Sequence, residues 1–120
     1  MIKIYRNNLN LITELLDEIH DRYFHFKDIV FDKDSGELKI PLGERRRWFF
    51  GNVIVTKVLK VTKVVDFHFE DTAQISQNSI NEVHIDLNKG LINIECNAPG
   101  EISFTIKSDF EISLEKFESK

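Results

Sequence analysis

The residues best suited to binding chemistry are four neighbouring side chains in the first half of the chain. Three arginines and the one tryptophan of the sequence follow one another as Arg45, Arg46, Arg47 and Trp48. Guanidinium groups bind carboxylates or phosphates through paired hydrogen bonds, and tryptophan offers a flat surface for stacking. The segment therefore indicates a contact site for an anionic partner. The structural alternative is that Trp48 anchors a hairpin connection in the core while the arginines face water.

Two histidines offer the ligand types of a metal site. His68 and Glu70 lie two residues apart, as do His84 and Asp86. Side chains at this spacing share one face of a β-strand, and apolar residues occupy the other face of both segments. If the two strands are neighbours, the four side chains can bind one divalent metal. Otherwise they are ordinary polar residues on a wet sheet face.

The remaining reactive residue types do not form catalytic patterns. Cys96 occupies an inward strand position by alternation, so we interpret it as a core residue and not a reactive thiol. A single cysteine forms no intrachain disulfide and no multi-cysteine zinc site, which suits a reducing compartment. The serines lack a nucleophile elbow and the glycines form no phosphate-binding loop. These absences favour a non-enzymatic protein without a cofactor.

Length and charge narrow the class of protein. With 120 residues, of which 42% are hydrophobic, we expect one domain over residues 1–120 with its own core. The net charge of -4 is divided unevenly: residues 1–65 carry +3 and residues 66–120 carry -7. An acidic balance argues against nucleic-acid binding, and the asymmetry favours a protein partner.

The first residues lack the apolar core of a secretory signal, and no apolar run approaches the roughly 20 residues that span a bilayer. We therefore expect a cytoplasmic protein without a membrane partner.

The elements that must position these residues follow from hydrophobic periodicity. Apolar residues three or four apart predict one amphipathic helix over residues 9–22. Alternation predicts a β-hairpin from residues 23–32 and 37–42, and Pro41 places its second strand at a sheet edge or strand end. Residues 53–70 predict two strands with a bend between them.

The last third of the chain shows the clearest alternation. It predicts a four-strand antiparallel meander with one buried and one wet face. The four segments are residues 83–87, 92–96, 102–106 and 110–114.

The predicted fold is α+β, with the N-terminal helix packed on a mostly antiparallel sheet or β-sandwich of about seven or eight strands. This layout resembles small bacterial domains, including some toxin-immunity proteins, although no residue motif carries the likeness.

The leading hypothesis is a soluble protein-interaction domain, immunity-like or regulatory. Its alternatives are a metal-binding or metal-dependent enzyme domain and a small-molecule-binding β-sandwich lined by phenylalanines. An exposed edge at residues 37–42, or the terminal strand at 110–117, offers a surface for a homodimer.

Overall fold

The computed structural model describes residues 2–45, 53–75 and 77–117. After strand β1 (Ile2–Tyr5), a 3-10 segment (Arg6–Leu11) leads into helix α1 (Ile12–Ile19). The remaining strands are β2 (Tyr23–His25), β3 (Val30–Asp32), β4 (Glu37–Arg45), β5 (Val53–Val61), β6 (Val64–Glu70), β7 (Gln77–Asp86), β8 (Leu91–Cys96), β9 (Glu101–Ile106) and β10 (Glu111–Lys116). A short 3-10 turn (Phe26–Asp28) separates β2 from β3. This confirms the α+β class, with ten strands within the described ranges where about seven or eight were expected.

The predicted helix over residues 9–22 is present, but its α-helical part is shorter. Asn8 has non-helical backbone angles (φ -131°, ψ 38°). Its side chain accepts a hydrogen bond from the Tyr5 N–H and donates one to the Lys3 carbonyl. Such local bonds compete with the helical ladder, so the regular helix starts only at Ile12. None of the helices in the described ranges is long and apolar enough to cross a membrane.

All strands belong to one antiparallel sheet in the order β1-β10-β5-β4-β2-β7-β8-β9-β6, with β3 beside β4. Strand β7 connects the two parts of this sheet. Its first residues, 77–79, pair with β2, and residues 80–86 pair with β8. The bend expected between residues 53 and 70 falls between β5 and β6, so consecutive strands enter different parts of the sheet.

One hydrophobic core joins both parts of the sheet and the helix. Leu15 and Ile19 of α1 are buried in it with Phe24 of β2 and Phe104 of β9. The rings of Phe24 and Phe26 meet edge to face with centroids 5.0 Å apart, which is a favoured aromatic geometry. The inward alternation of the C-terminal strands predicted this core face.

Pro41 does not mark a sheet edge, contrary to the sequence interpretation. Strand β4 lies inside the sheet, and Pro41 is opposite Val58 of β5. On its other side, β4 pairs with β3 through residues 37–39 and with β2 through Gly43. Pro41 therefore lies at the gap between β2 and β3, where the strand pairing is interrupted and a missing N–H costs little.

The fourth strand of the expected meander pairs elsewhere. Strands β7, β8 and β9 form the predicted meander, but β10 lies between β1 and β5. Both edges proposed for dimerisation, residues 37–42 and 110–117, are thereby inside the sheet. The strands at the ends of the sheet order are β1 and β6.

Candidate functional site

The arginine–tryptophan segment begins where β4 ends. Arg45 is the last residue of β4 and pairs with Val53 of β5. Arg46, Arg47 and Trp48 lie outside the described residues. Their role as an anionic-partner site therefore stays a prediction from the sequence.

The four expected metal ligands lie on one face of the sheet but not on neighbouring strands. His68 and Glu70 are on β6, whereas His84 and Asp86 are on β7, and β8 and β9 lie between these strands. Three strand spacings separate the two pairs, about 14 Å. Metal–ligand bonds of about 2 Å cannot bridge that distance. The structure therefore does not assemble the four side chains into one site.

The strand register instead aligns polar residues in rows across β7, β8, β9 and β6. One row consists of glutamates alone, and we call it the glutamate row: Glu82, Glu95, Glu101 and Glu70. A second row contains His84, Asn93, Ser103 and His68. A third contains Asp86, Leu91, Thr105 and Asp66. We call these twelve positions the outer face, and all of them are exposed or half-buried.

The outer face carries concentrated negative charge. It holds six carboxylates and neither lysine nor arginine. In the glutamate row, Glu95 is directly opposite Glu82 on β7 and Glu101 on β9. Directly opposite residues have Cβ atoms about 5 Å apart, and like charges in this position destabilise a sheet. The repulsion within the glutamate row therefore lowers the stability of the fold.

Side-chain amides, histidines and backbone N–H groups contact these carboxylates. The N–H groups of Asn88 and Lys89 donate to Asp86, and that of Phe67 donates to Asp66. Asn93 donates a hydrogen bond to Glu101 through its Nδ2 atom, at 2.7 Å, and Asn81 donates one to Glu95 at 3.4 Å. On β6, His68 Nε2 lies 3.6 Å from a carboxylate oxygen of Glu70. These contacts leave the face anionic as a whole.

His84 forms the densest group of ligand atoms on the outer face. Its Nε2 atom lies 3.3 Å from Glu82 and 3.4 Å from Glu95. One ligand atom from each of the three side chains lies within 4.8 Å of the other two. An imidazole with two carboxylates is a donor set that suits divalent metals such as zinc or manganese. His84 thus belongs to a three-residue group different from the one expected.

Cys96 lies in the core beneath the acidic face. Burial, with smaller contributions from the nearby carboxylates of Asp71, Glu101 and Glu95, raises the pKa of its thiol to about 12. The thiolate is the nucleophilic form of cysteine. The raised pKa therefore supports the interpretation of Cys96 as an unreactive core residue.

Two grooves in the described part of the chain, of about 400 and 610 Å³, lack the phenylalanine lining expected for a small-molecule site, and the larger one contains a single phenylalanine, Phe110. A groove of about 400 Å³ is lined mainly by charged and aliphatic residues, including Glu18, Lys57 and Leu114. The phenylalanines instead contact one another. Phe26 stacks on Phe69 with centroids 5.1 Å apart.

The glutamate row was not predicted from the sequence because it forms only when the strands pair. The alternation places Glu82, Glu95 and Glu101 on the predicted wet face of the meander. Together with the short turns, it could have predicted that these three residues are neighbours. Glu70 could not have been added, because β6 joins β9 through a long-range pairing.

Comparison with known proteins gives no functional assignment. No family model matches the chain, and no curated protein matches it. Among solved structures, a crystal structure of an uncharacterized protein from Neisseria gonorrhoeae is similar over 82% of this chain and 93% of that chain. The sequence identity is 12% and the TM-score is 0.45.

Proposed function

We propose that this protein is a non-enzymatic interaction domain that binds the basic surface of another protein through its outer face. The observation that supports this proposal is the glutamate row. Four carboxylates lie side by side on adjacent strands, without a lysine or arginine among the twelve positions of the face. A lysine- or arginine-rich surface would remove the repulsion between them.

Charge complementarity of this kind acts mainly on association rate and specificity. An anionic face attracts a cationic partner over about 10 Å at moderate salt and repels acidic competitors. The outer face lies on the antiparallel strands β6–β9, so the backbone positions that carry its carboxylates have fixed spacing. A rigid backbone reduces the conformational entropy that is lost on binding.

The experiment compares two variants with the same change in charge. The first neutralises the row through Glu82→Gln, Glu95→Gln and Glu101→Gln. The control neutralises three acidic residues elsewhere through Glu14→Gln, Asp17→Asn and Glu115→Gln. A fluorescent ten-lysine peptide serves as the probe, and its affinity is measured by anisotropy at low salt.

We expect the row variant to bind the peptide about tenfold more weakly, a loss of about 1.4 kcal/mol, and the control to keep most of the affinity. Chemical-shift changes caused by the peptide should map to β7, β8 and β9. Equal weakening in both variants, or shifts spread over the whole surface, would contradict the proposal.

The group of Glu82, His84 and Glu95 supports a second candidate function, binding of a divalent cation. Its ligand atoms are already close together, so three protein ligands plus water can complete a coordination shell. Calorimetric titration with zinc or manganese tests this function. Binding should disappear in His84→Ala and persist in His68→Ala, which removes a histidine from the far end of the same row. If the ten-lysine peptide still binds when a chelator is present, peptide binding does not require a metal, and the two functions are separate.

A further inference from the structure

Strand β6 is a terminal strand of the sheet. It pairs with β9 on one side, and Val64 at its start donates a backbone hydrogen bond to the Gly36 carbonyl. Beyond Val64, the described residues provide no second strand partner for β6. The pairing of β6 with β9 is irregular between Val64 and Asp66, and alternate residues of an antiparallel edge strand direct their N–H and C=O groups outward. Residues 66–69 therefore offer an edge without a second strand, on which the Phe67 N–H donates a hydrogen bond to the Asp66 carboxylate.

Exposed apolar side chains mark this edge. Val65 is 51% exposed and Phe69 is 40% exposed, while Phe67 between them packs on Phe31. The opposite terminal strand, β1, has four residues and carries Lys3, a residue type that discourages edge pairing. Strand β6 is longer and contains no lysine. Strand β3, which pairs only with β4 among the described residues, has three residues. Strand β6 is therefore the longest of these edges for adding a strand.

We infer that two copies of this protein associate by antiparallel pairing of their β6 strands about a two-fold axis at Phe67. Complementary side chains along β6 select both the partner and the register. With Phe67 on the axis, Asp66 of each copy lies opposite His68 of the other. An imidazole N–H donates a hydrogen bond to a carboxylate, and such cross-strand pairs are favourable in sheets.

The two symmetric registers with the axis one residue away from Phe67 are less favourable. Centring the axis on Asp66 places that carboxylate opposite its own copy. Centring it on His68 places Asp66 opposite Glu70. Both registers juxtapose like charges, and the short strand offers little apolar contact to offset them. Among the symmetric registers that pair at least five residues of β6, the sequence is thus self-complementary only with the axis at Phe67.

Pairing about this axis keeps the two outer faces on the same side, because a two-fold axis perpendicular to a sheet preserves its faces. The two glutamate rows point to opposite sides of the axis, since Glu70 lies three residues from Phe67. The row ends are then about 20 Å apart along the strands. Dimerisation through β6 does not require the proposed binding of a basic partner.

Sedimentation velocity over a range of concentrations tests the dimer. We expect a dissociation constant in the micromolar range, since a ladder of about five residues buries less than a standard interface. His68→Asp should weaken the dimer about tenfold by placing Asp66 opposite a second carboxylate on both sides of the axis. The double variant Asp66→Lys with His68→Asp should restore it.

Ser103→Asp provides the matched control. It adds the same charge to the outer face one strand inward, on β9, and should leave dimerisation unchanged. A protein that stays monomeric at about 1 mM, the weak end of specific association, would overturn the inference. Equal weakening by His68→Asp and Ser103→Asp, no rescue by the double variant, or assemblies larger than a dimer would overturn it as well.

A distance measurement tests the register without changing β6. Spin labels at Asn93→Cys in the two copies should lie about 25 Å apart, because five strand spacings and a two-residue offset separate them. A dimer with a clearly different label distance would show that another surface pairs.

Discussion

Replacing Glu95 with glutamine is expected to stabilise the fold. Glu95 lies in the middle of the glutamate row, with Glu82 opposite on β7 and Glu101 opposite on β9. Each like-charge pair costs a few tenths of a kcal/mol to about 1 kcal/mol. Glutamine has nearly the same shape and keeps an oxygen to accept the hydrogen bond from Asn81. Removing both repulsions should therefore raise the free energy of unfolding by about 1 kcal/mol.

Urea denaturation at low salt measures this gain, and a stabilisation of about 1 kcal/mol moves the midpoint upward by about 0.5 M. Salt supplies a second, independent check. The screening length falls to about 3 Å in 1 M salt, so the difference between Glu95→Gln and wild type should nearly vanish there.

Glu115→Gln is the matched control for this prediction. Glu115 lies on β10 opposite Val58, not opposite another carboxylate. Its neutralisation should bring no comparable gain. The electrostatic reasoning fails if Glu95→Gln destabilises the protein, or if its effect is the same in low and high salt.

Three further substitutions or titrations test the fold. Gly43→Ala should destabilise the protein by about 3 kcal/mol in urea unfolding, because the added Cβ would lie 1.9 Å from the Ile54 carbonyl oxygen of β5. A loss of stability below about 1 kcal/mol would show that β4 and β5 separate easily at this point. The Cys96 thiol, with its pKa raised from 9.0 to about 12, should resist a disulfide reagent at pH 8 until the protein unfolds. Its contribution to stability is complete below pH 9.0 and is lost as pH rises toward about 12, so Cys96→Ala should reduce the loss of stability in that range. The hydrogen bond and charge of Lys57 lower the pKa of the Glu18 carboxyl below 4.5, and Lys57→Met should raise that pKa in a carboxyl NMR titration.

The sequence predicted the elements that depend on local periodicity. The stripe of Leu15 and Ile19 predicted the helix, and alternation predicted the meander of β7, β8 and β9. These signals are local because side-chain direction repeats every 3.6 or 2 residues. The same alternation predicted that His68 and His84 lie on the wet face, where the structure places them.

The sequence pattern does not predict which strands pair with one another. The alternation of Ile112 and Leu114 fixes which face of β10 is buried, but it does not distinguish β9 from β5 as a neighbour. The expected metal site failed for this reason, since His68 and His84 needed β6 beside β7. The glutamate row was missed for the converse reason, because its members meet only through the global strand order.

The position of β10 between β1 and β5 affects how the chain reaches its native state during synthesis. Strand β5 ends at Val61, and its neighbour β10 begins at Glu111. At about 5–20 residues per second, the ribosome needs roughly 3–10 s to make the chain between them. Through that interval β5 and β1 both lack β10, which among the described residues is the one strand that pairs with β1. We therefore expect the pairing of β1 and β5 with β10 to form late, after the last strand emerges, because it joins segments far apart in sequence.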